Sequence, residues 1–211
     1  MRRSHLHGLL LLGSVLGAGC PATDSPTATG TPIATSDAAL EEADASPLAT
    51  GKESDPALLA AALRPIDSPL PSRASLEAGY EDPVALLLQV ASPSWPEPIE
   101  RENALSELGL FAEDRRANQR LIEVAVDTSA AVGDRVGALQ GLNHAEEVAR
   151  AQLGPLLSLL DEPQPRVQAA TVLLVADWPE AREPLERLAN SSSTHPDVRR
   201  FAARAVEGGS Q

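Results

Sequence analysis

Four segments of the chain share one pattern of polar, small and apolar positions. Each has Arg, then Ala three residues later, Leu or Ala next, and an aliphatic residue three positions further on. Offsets of three, four and seven lie on one side of an α-helix, so each segment predicts a helix that buries its Ala and aliphatic face. The segments are Arg101-Ala104-Leu105-Leu108, Arg135-Ala138-Leu139-Leu142, Arg166-Ala169-Ala170-Leu173 and Arg199-Ala202-Ala203-Val206.

The four arginines are separated by 34, 31 and 33 residues, and a Leu-rich segment precedes each of them. Pro98, Pro163 and Pro196 lie three residues before the Arg in three segments. Pro suits the first turn of a helix, where its missing N–H costs nothing. No segment combines alternating apolar and polar residues with an enrichment in β-branched residues, so no β-sheet is expected. The sequence therefore predicts an all-α fold of four helix pairs, over residues 81–110, 113–143, 145–176 and 179–207.

Helix pairs of this length with a Pro/Asp-x-x-Arg-x-x-Ala second helix resemble HEAT repeats, especially the short HEAT-like kind. The resemblance covers about 127 residues, although the second unit has Val132 in place of the Pro. It implies an α-solenoid, an armadillo-type superhelix, over residues 76–207, whose second helices line a concave face. Tetratricopeptide repeats have a similar period, but their Trp/Leu-Gly-Tyr then Ala-Phe-Pro pattern is absent.

The resemblance also implies roles for the repeat-signature residues. Each Arg would join Asp or Glu side chains of a neighbouring unit, and each Ala would let helices approach closely. A column of cations that bind a ligand is the alternative for the arginines. The signature residues are Arg101, Ala104, Arg135, Ala138, Arg166, Ala169, Arg199 and Ala202.

The first 19 residues have the composition of a secretory signal peptide. Arg2 and Arg3 form a positive n-region, and a short apolar stretch and small residues follow. The apolar stretch is too short to span a bilayer, which needs roughly 20 apolar residues. The sequence therefore predicts export.

The residues Leu16-Gly17-Ala18-Gly19-Cys20 resemble the lipobox of bacterial lipoproteins, with Gly17 where Leu is usual. The resemblance implies a diacylglyceryl group on Cys20, usually with an N-acyl chain such as palmitate, which is enough for stable anchoring. Pro21 replaces the Asp of inner-membrane retention signals, which favours the outer membrane of the cell envelope. The folded part would then lie in the periplasm or at the cell surface. A plain exported protein with a free Cys20 is the alternative.

Residues 20–75 are rich in Ala, Thr, Ser, Pro and Asp and contain no aromatic residue. Such a segment cannot bury enough apolar area to offset its ordering entropy, so it predicts a disordered tether. A helix from Pro56 to Leu63, capped by Asp55, is expected to form only transiently, because isolated helices this short are marginal in water.

Charge and composition exclude or disfavour several classes of binding site and function. The chain has 30 acidic and 17 basic residues, a net charge of −13, which disfavours nucleic-acid binding. One cysteine excludes an intrachain disulfide framework and a cysteine-rich zinc site. With 2% aromatic residues, a large aromatic-lined pocket is not expected. An acidic protein favours a partner that carries a basic patch.

No pattern of catalytic residues stands out, and neither a metal nor a cofactor is expected. His144 and His195 lie in different units as turn residues, and Ser191 to Thr194 form a loop. The sequence favours a non-catalytic scaffold or adaptor whose concave face holds a protein or peptide. The alternatives are an enzyme or a relative of the HEAT-like chromophore lyases, and a purely structural envelope lipoprotein.

Overall fold

The computed structural model describes residues 51–64 and 69–208. They lie in the second of the two units into which the chain divides, Ala49–Gln211. Within the described residues the regular elements are helices, and the one β-contact is an isolated bridge between Glu53 and Tyr80. The all-α prediction is confirmed for this part of the chain. The signal peptide, Cys20 and the tether up to residue 50 lie outside the described residues.

Eleven α-helices follow one another in the described ranges. They are α1 (Pro56–Ala62), α2 (Arg73–Gly79), α3 (Pro83–Val90), α4 (Pro98–Leu108), α5 (Arg115–Val126), α6 (Val132–His144), α7 (Glu146–Arg150), α8 (Leu153–Ser158), α9 (Pro165–Val175), α10 (Arg182–Asn190) and α11 (Pro196–Gly208). Short 3-10 turns over Gly109–Phe111, Leu159–Asp161 and Pro179–Ala181 extend or introduce some of them. The eight helices expected from the repeat pattern are α3 to α6 and α8 to α11.

Local sequence explains where several helices begin. Asp55, Asp82 and Asp114 each accept a hydrogen bond from a backbone N–H in the first turn of α1, α3 and α5. Such capping satisfies an N–H group that the helix itself leaves unpaired. Pro is the first residue of α1, α3, α4, α9 and α11. Boundaries of this kind depend on neighbouring residues only, which is why the sequence locates them well.

The second helices of the expected pairs pack side by side in chain order. α4 lies against α6, α6 against α9, and α9 against α11, while α3, α5 and α10 pack on the second helix that follows each of them. Buried Leu, Val and Ala side chains form one core that runs through these helices. Few aromatic residues are needed, because small and aliphatic side chains fill the space between closely packed helices.

Glycines determine how closely α4 and α6 approach. Gly137 and Gly141 are one turn apart on α6, and a Cβ atom at these positions would lie 2.2 Å from the Glu102 carbonyl oxygen and 2.6 Å from the Leu105 carbonyl oxygen. Glycine inside a helix costs about 1 kcal/mol relative to alanine. Here it allows the backbone of α4 to lie directly on α6.

The helices α1 and α2 differ from the predicted tether, which extended to residue 75. Leu59, Leu63 and Leu76 are fully buried, and α1 packs against α3 and α4. Arg73 of α2 donates a hydrogen bond to the Leu110 carbonyl oxygen at 3.1 Å. Tertiary packing thus stabilises a helix that is too short to be stable alone. We call α1, Leu63, Arg64 and α2 the N-terminal cap.

Candidate functional site

The four second helices share a structural position that we call the anchor position, the fourth residue of each helix. The helices begin at Pro98, Val132, Pro165 and Pro196. The anchor residues are therefore Arg101, Arg135, Gln168 and Arg199. Three are the expected repeat arginines, and in α9 the anchor is Gln168, two residues after Arg166.

The third segment is thus shifted by two residues from the sequence alignment. Ala104, Ala138 and Ala202 are fully buried, but Ala169 is only partly buried and Leu173 is 55% exposed. The core of α9 instead contains Thr171, Val172, Leu174 and Val175, at the offsets from Gln168 that are buried in α4 relative to Arg101. Pro165, three residues before Gln168, is the sequence signal that identifies this register.

Three ion pairs connect successive parts of the fold, and we call them the ion-pair ladder. In each pair an Arg reaches a carboxylate further along the chain. The pairs are Arg64–Glu100 at 2.5 Å, Arg101–Asp134 at 3.1 Å and Arg135–Glu162 at 2.8 Å. Sequence reasoning missed Arg64, because this residue lies in the predicted tether and outside the repeat pattern.

The carboxylates Glu100 and Asp134 precede the anchor positions of α4 and α6 directly. Glu100 is 1% exposed. Burial opposes its ionisation, but hydrogen bonds from the Trp95 indole and from Arg64 outweigh burial and hold its pKa below the usual value. The corresponding residue of α9 is Val167, which has no carboxylate. Arg135 forms its ion pair instead with Glu162, in the loop before α9.

Two anchor arginines also bond to backbone carbonyl oxygens of the preceding segment. Arg101 donates to the Trp95 oxygen at 2.7 Å, and Arg135, which is 2% exposed, donates to the Ala125 oxygen at 3.3 Å. Gln168 replaces this contact in α9 by donating to the Leu160 oxygen. Arg199 is partly buried and has no ion pair within the described residues. Arg101 and Arg135 therefore hold their own helix pair together through these backbone bonds and join it to the next pair through their ion pairs.

The remaining repeat arginine, Arg166, forms an ion pair across a helix. Its guanidinium lies 2.9 Å from a carboxylate oxygen of Glu102, so the contact joins α9 to α4 past α6. Gly133 of α6 lies beneath this pair, and a Cβ atom there would be 2.6 Å from Glu102 Oε2. Burial raises the pKa of Glu102 and Arg166 opposes that effect, with a net rise.

Exposed and partly exposed residues recur at four positions of the second helices, and we call this surface the second-helix face. They lie two residues before the anchor and one, five and eight residues after it. The face comprises Ile99, Glu102, Ser106, Gly133, Gln140, Asn143, Arg166, Ala169, Leu173, Asp197, Arg200, Arg204 and Glu207. Ile99 and Leu173 are large apolar side chains that are 46% and 55% exposed, while most of the other side chains are polar.

A second candidate site is a groove of about 530 Å³ between the turns that precede α9 and α11. Asp161 and Glu162 form one side, while Arg187 and His195 lie on the other. These groups lie before α9, within α10 and before α11, and the fold brings them together. Glu162 forms an ion pair with Arg135, and Arg187 forms one with Glu183 at 3.1 Å. These ion pairs neutralise much of the charge of the groove.

The polar groups of this groove bond mainly to near neighbours in sequence. The Oγ atoms of Ser191 and Ser193 lie 2.8 Å apart, and His195 Nδ1 accepts a hydrogen bond from the Asp197 N–H at 3.3 Å. His144 lies exposed at the end of α6 and does not line this groove. The groove can offer hydrogen bonds to a ligand.

A metal site and a membrane-spanning helix are both absent from residues 51–64 and 69–208. No group of three or more His, Cys, Asp or Glu side chains in that range could hold a metal ion. None of the helices there combines the length and the apolarity that crossing a bilayer requires.

The chain was compared with protein-family models, curated proteins and solved structures, and none of them matches it.

Proposed function

We propose that this protein is an exported, lipid-anchored HEAT-like repeat protein that acts as a non-catalytic scaffold or adaptor in the bacterial cell envelope. Its second-helix face would hold a protein or peptide partner. The proposal rests on the ion pair between Glu102 and Arg166. This contact joins α4 to α9 across α6, which lies between them.

The ion-pair ladder and the shared anchor position support the repeat assignment. The anchor is a repeat arginine in three of the four second helices, and the ladder connects the cap to α4, α4 to α6, and α6 to the turn before α9. Stacked helix pairs gain stability from such nearest-neighbour contacts, since one pair cannot bury its own apolar face. Four pairs meet the minimum of about three that such arrays require.

The Glu102–Arg166 contact supports a concave second-helix face. Packed helices lie about 8–10 Å apart, so two steps in a flat layer separate α4 from α9 by roughly 16–20 Å. Arg and Glu side chains together span less than this when they must also rise over the intervening helix. The contact therefore favours curvature towards the second-helix side, and Gly133 leaves room for it.

Two apolar side chains on a polar face suit a protein partner. Ile99 and Leu173 lie on α4 and α9, on either side of α6, and the Glu102–Arg166 pair lies on the same face. Protein interfaces commonly combine a few buried apolar contacts with a polar rim. The acidic excess of the chain favours a partner that is basic around the contact.

Site-specific cross-linking tests the binding face. A photoreactive amino acid at Leu173 should capture one defined protein in the native cell, and Ile99→Asp in the same chain should abolish that cross-link. The matched control is Leu58 on the N-terminal cap, which is also Leu and 50% exposed but lies off the second-helix face. Equal capture from Leu58, or capture unaffected by Ile99→Asp, would contradict the proposed face.

The lipid anchor needs a separate experiment, because a protein could bind a partner without one. Cells that express the chain are labelled with a radioactive fatty acid, and the Cys20→Ser variant is compared. We expect the label and the membrane fractionation to be lost together, since Cys20 is the proposed attachment point. Label that persists in the variant would rule out this residue.

A further inference from the structure

Glu107 is a buried carboxyl group with no counter-charge among the described residues. It lies on α4 and is 8% exposed, and its Oε2 atom has no hydrogen-bond partner among the described residues. A buried polar atom without a partner costs roughly 1–3 kcal/mol, and a buried charge costs more. Such a group therefore needs a physical explanation.

The N-terminal cap covers the side of α4 on which Glu107 lies. Asn103, one turn earlier on the same side, donates to the Leu63 carbonyl oxygen at 2.8 Å. Leu110, in the 3-10 turn that follows α4, accepts a hydrogen bond from Arg73 of α2 with its backbone oxygen, so α2 contacts that end of α4. Residues four apart share a side of a helix, so Glu107 lies on the side of α4 on which Asn103 contacts the cap.

The repeat geometry leads to the same location. Glu107 is six residues after the anchor of α4, and Gly141 is six residues after the anchor of α6. Gly141 faces the backbone of the preceding second helix, at the Leu105 carbonyl oxygen. Glu107 has the same position in α4 as Gly141 has in α6. It should therefore face the element packed before α4, which is the N-terminal cap.

The charged groups on the elements around α4 are engaged elsewhere or lie at the surface. Neither α1 nor α3 contains a titratable side chain. The ionisable groups of the other neighbours are Arg64 (with Glu100), Arg73 (with Glu77 and Glu113), Arg115 (exposed), Arg116 (with Asp82 and Asp114), Arg120 (to the Ala91 oxygen), Glu123 (with Gln119), Asp134 (with Arg101), Arg135 (with Glu162) and His144 (exposed). Burial alone raises the pKa of Glu107 to about 7.

We propose that Glu107 is a pH-dependent switch that controls whether the N-terminal cap stays packed on α4. The neutral carboxyl group is compatible with an apolar contact, whereas the carboxylate needs water and is hydrated when the cap separates. The cap contributes Leu59, Leu63 and Leu76 to the core, so its release would expose apolar surface on α3 and α4.

The direction of the pH effect follows from the raised pKa. The cap-bound state holds the proton up to about pH 7, whereas a hydrated Glu releases it near its ordinary value of 4.5. Packing of the cap is therefore fully favoured below about pH 4.5 and weakens as the pH rises through 7. Each unit of pKa difference is a factor of ten, so the packing equilibrium should fall on the order of a hundredfold between pH 5 and pH 8.

Hydrogen exchange of the whole chain at pH 5 and pH 8, corrected for the intrinsic exchange rate, tests this switch. We expect the protection of the Leu63 amide in the cap, and of the Tyr80 amide that bonds to Leu76 of α2, to fall on the order of a hundredfold, while that of α9 amides changes little. Glu107→Gln should remove the pH dependence of the cap, because an amide does not ionise in this range. An unchanged cap in the wild type, a persistent pH dependence in Glu107→Gln, or an equal loss in α9 overturns the proposal.

Glu102→Gln is the matched control. Burial also raises the pKa of Glu102, but this residue lies on the second-helix face beside Arg166. Its variant should keep the pH dependence of the cap, and loss of that dependence would contradict the assignment to Glu107. The NMR titration of the Glu107 carboxyl carbon in the unmodified chain needs no variant. A midpoint near 7 is expected, and a midpoint near 4.5 overturns the switch.

Discussion

The helices α6 and α9 carry the same sequence signature but occupy different environments. In α6, Arg135 is 2% exposed and Ala138 is fully buried, whereas in α9 the Arg166 side chain is 62% exposed and Ala169 is only partly buried. The helix α6 has α4 on one side and α9 on the other, and its glycines allow α4 to approach closely. An Arg-x-x-Ala motif therefore does not by itself define the buried face, which also depends on where the helix begins.

The largest effect should come from the anchor of α6. Arg135→Met leaves Glu162, whose side chain is 12% exposed, without its ion-pair partner. Breaking a buried pair on one side typically costs about 3–5 kcal/mol, because the remaining charge stays desolvated. Urea unfolding should show a loss of this size, and a loss below about 1 kcal/mol would mean that Arg135 is not a structural anchor.

The two signature alanines should respond differently to an added side chain. Ala138→Leu is expected to cost about 1–3 kcal/mol, because extra methyl groups in a filled core force neighbours to move. Ala169→Leu should change the free energy of unfolding by about 0.5 kcal/mol or less, as is usual for partly exposed sites. Equal losses would show that α9 has the register of the sequence alignment after all.

Close approach of α4 to α6 can be tested with a single methyl group. In Gly137→Ala the new Cβ atom meets backbone, so we expect a net loss of about 1–2 kcal/mol despite the better helix propensity of alanine. The control is Gly154→Ala in α8, where a Cβ atom has no neighbour within 4 Å. That variant should change the free energy of unfolding by less than about 1 kcal/mol, because the better helix propensity of alanine is opposed by crowding between its Cβ atom and Pro155, and equal losses in both variants would contradict the tight α4–α6 contact.

The smallest expected effect concerns the ion pair that bridges α9 and α4. Arg166→Ala should cost at most about 1 kcal/mol, because the Arg166 side chain is 62% exposed and solvent screens the pair. The loss should shrink further in high salt, since the Debye length falls to about 3 Å at 1 M. A loss that matches Arg135→Met and does not depend on salt would remove the distinction between the two arginines.

Much of the secondary structure is local and could be predicted. Helix starts follow from capping Asp residues and from Pro in the first turn, and the Ala and aliphatic faces of α4 and α6 follow from their spacing. The signal-peptide and lipobox patterns remain predictions, because they lie outside the described residues. The register of α9 was also encoded, in Pro165 and Gln168, but the nearby Arg166 and Ala169 gave a second alignment of similar quality.

Local sequence specifies that this chain forms helices, where most of them begin and which arginines recur. Contacts between distant segments place the cap on α4, add Arg64 to the ion-pair ladder, bury Glu107 and bring Glu102 to Arg166. The physical reason is the range of the interactions. Caps and helical faces depend on residues within about two turns of one another. Burial and ion pairs between units depend on how distant segments pack, which no local pattern specifies.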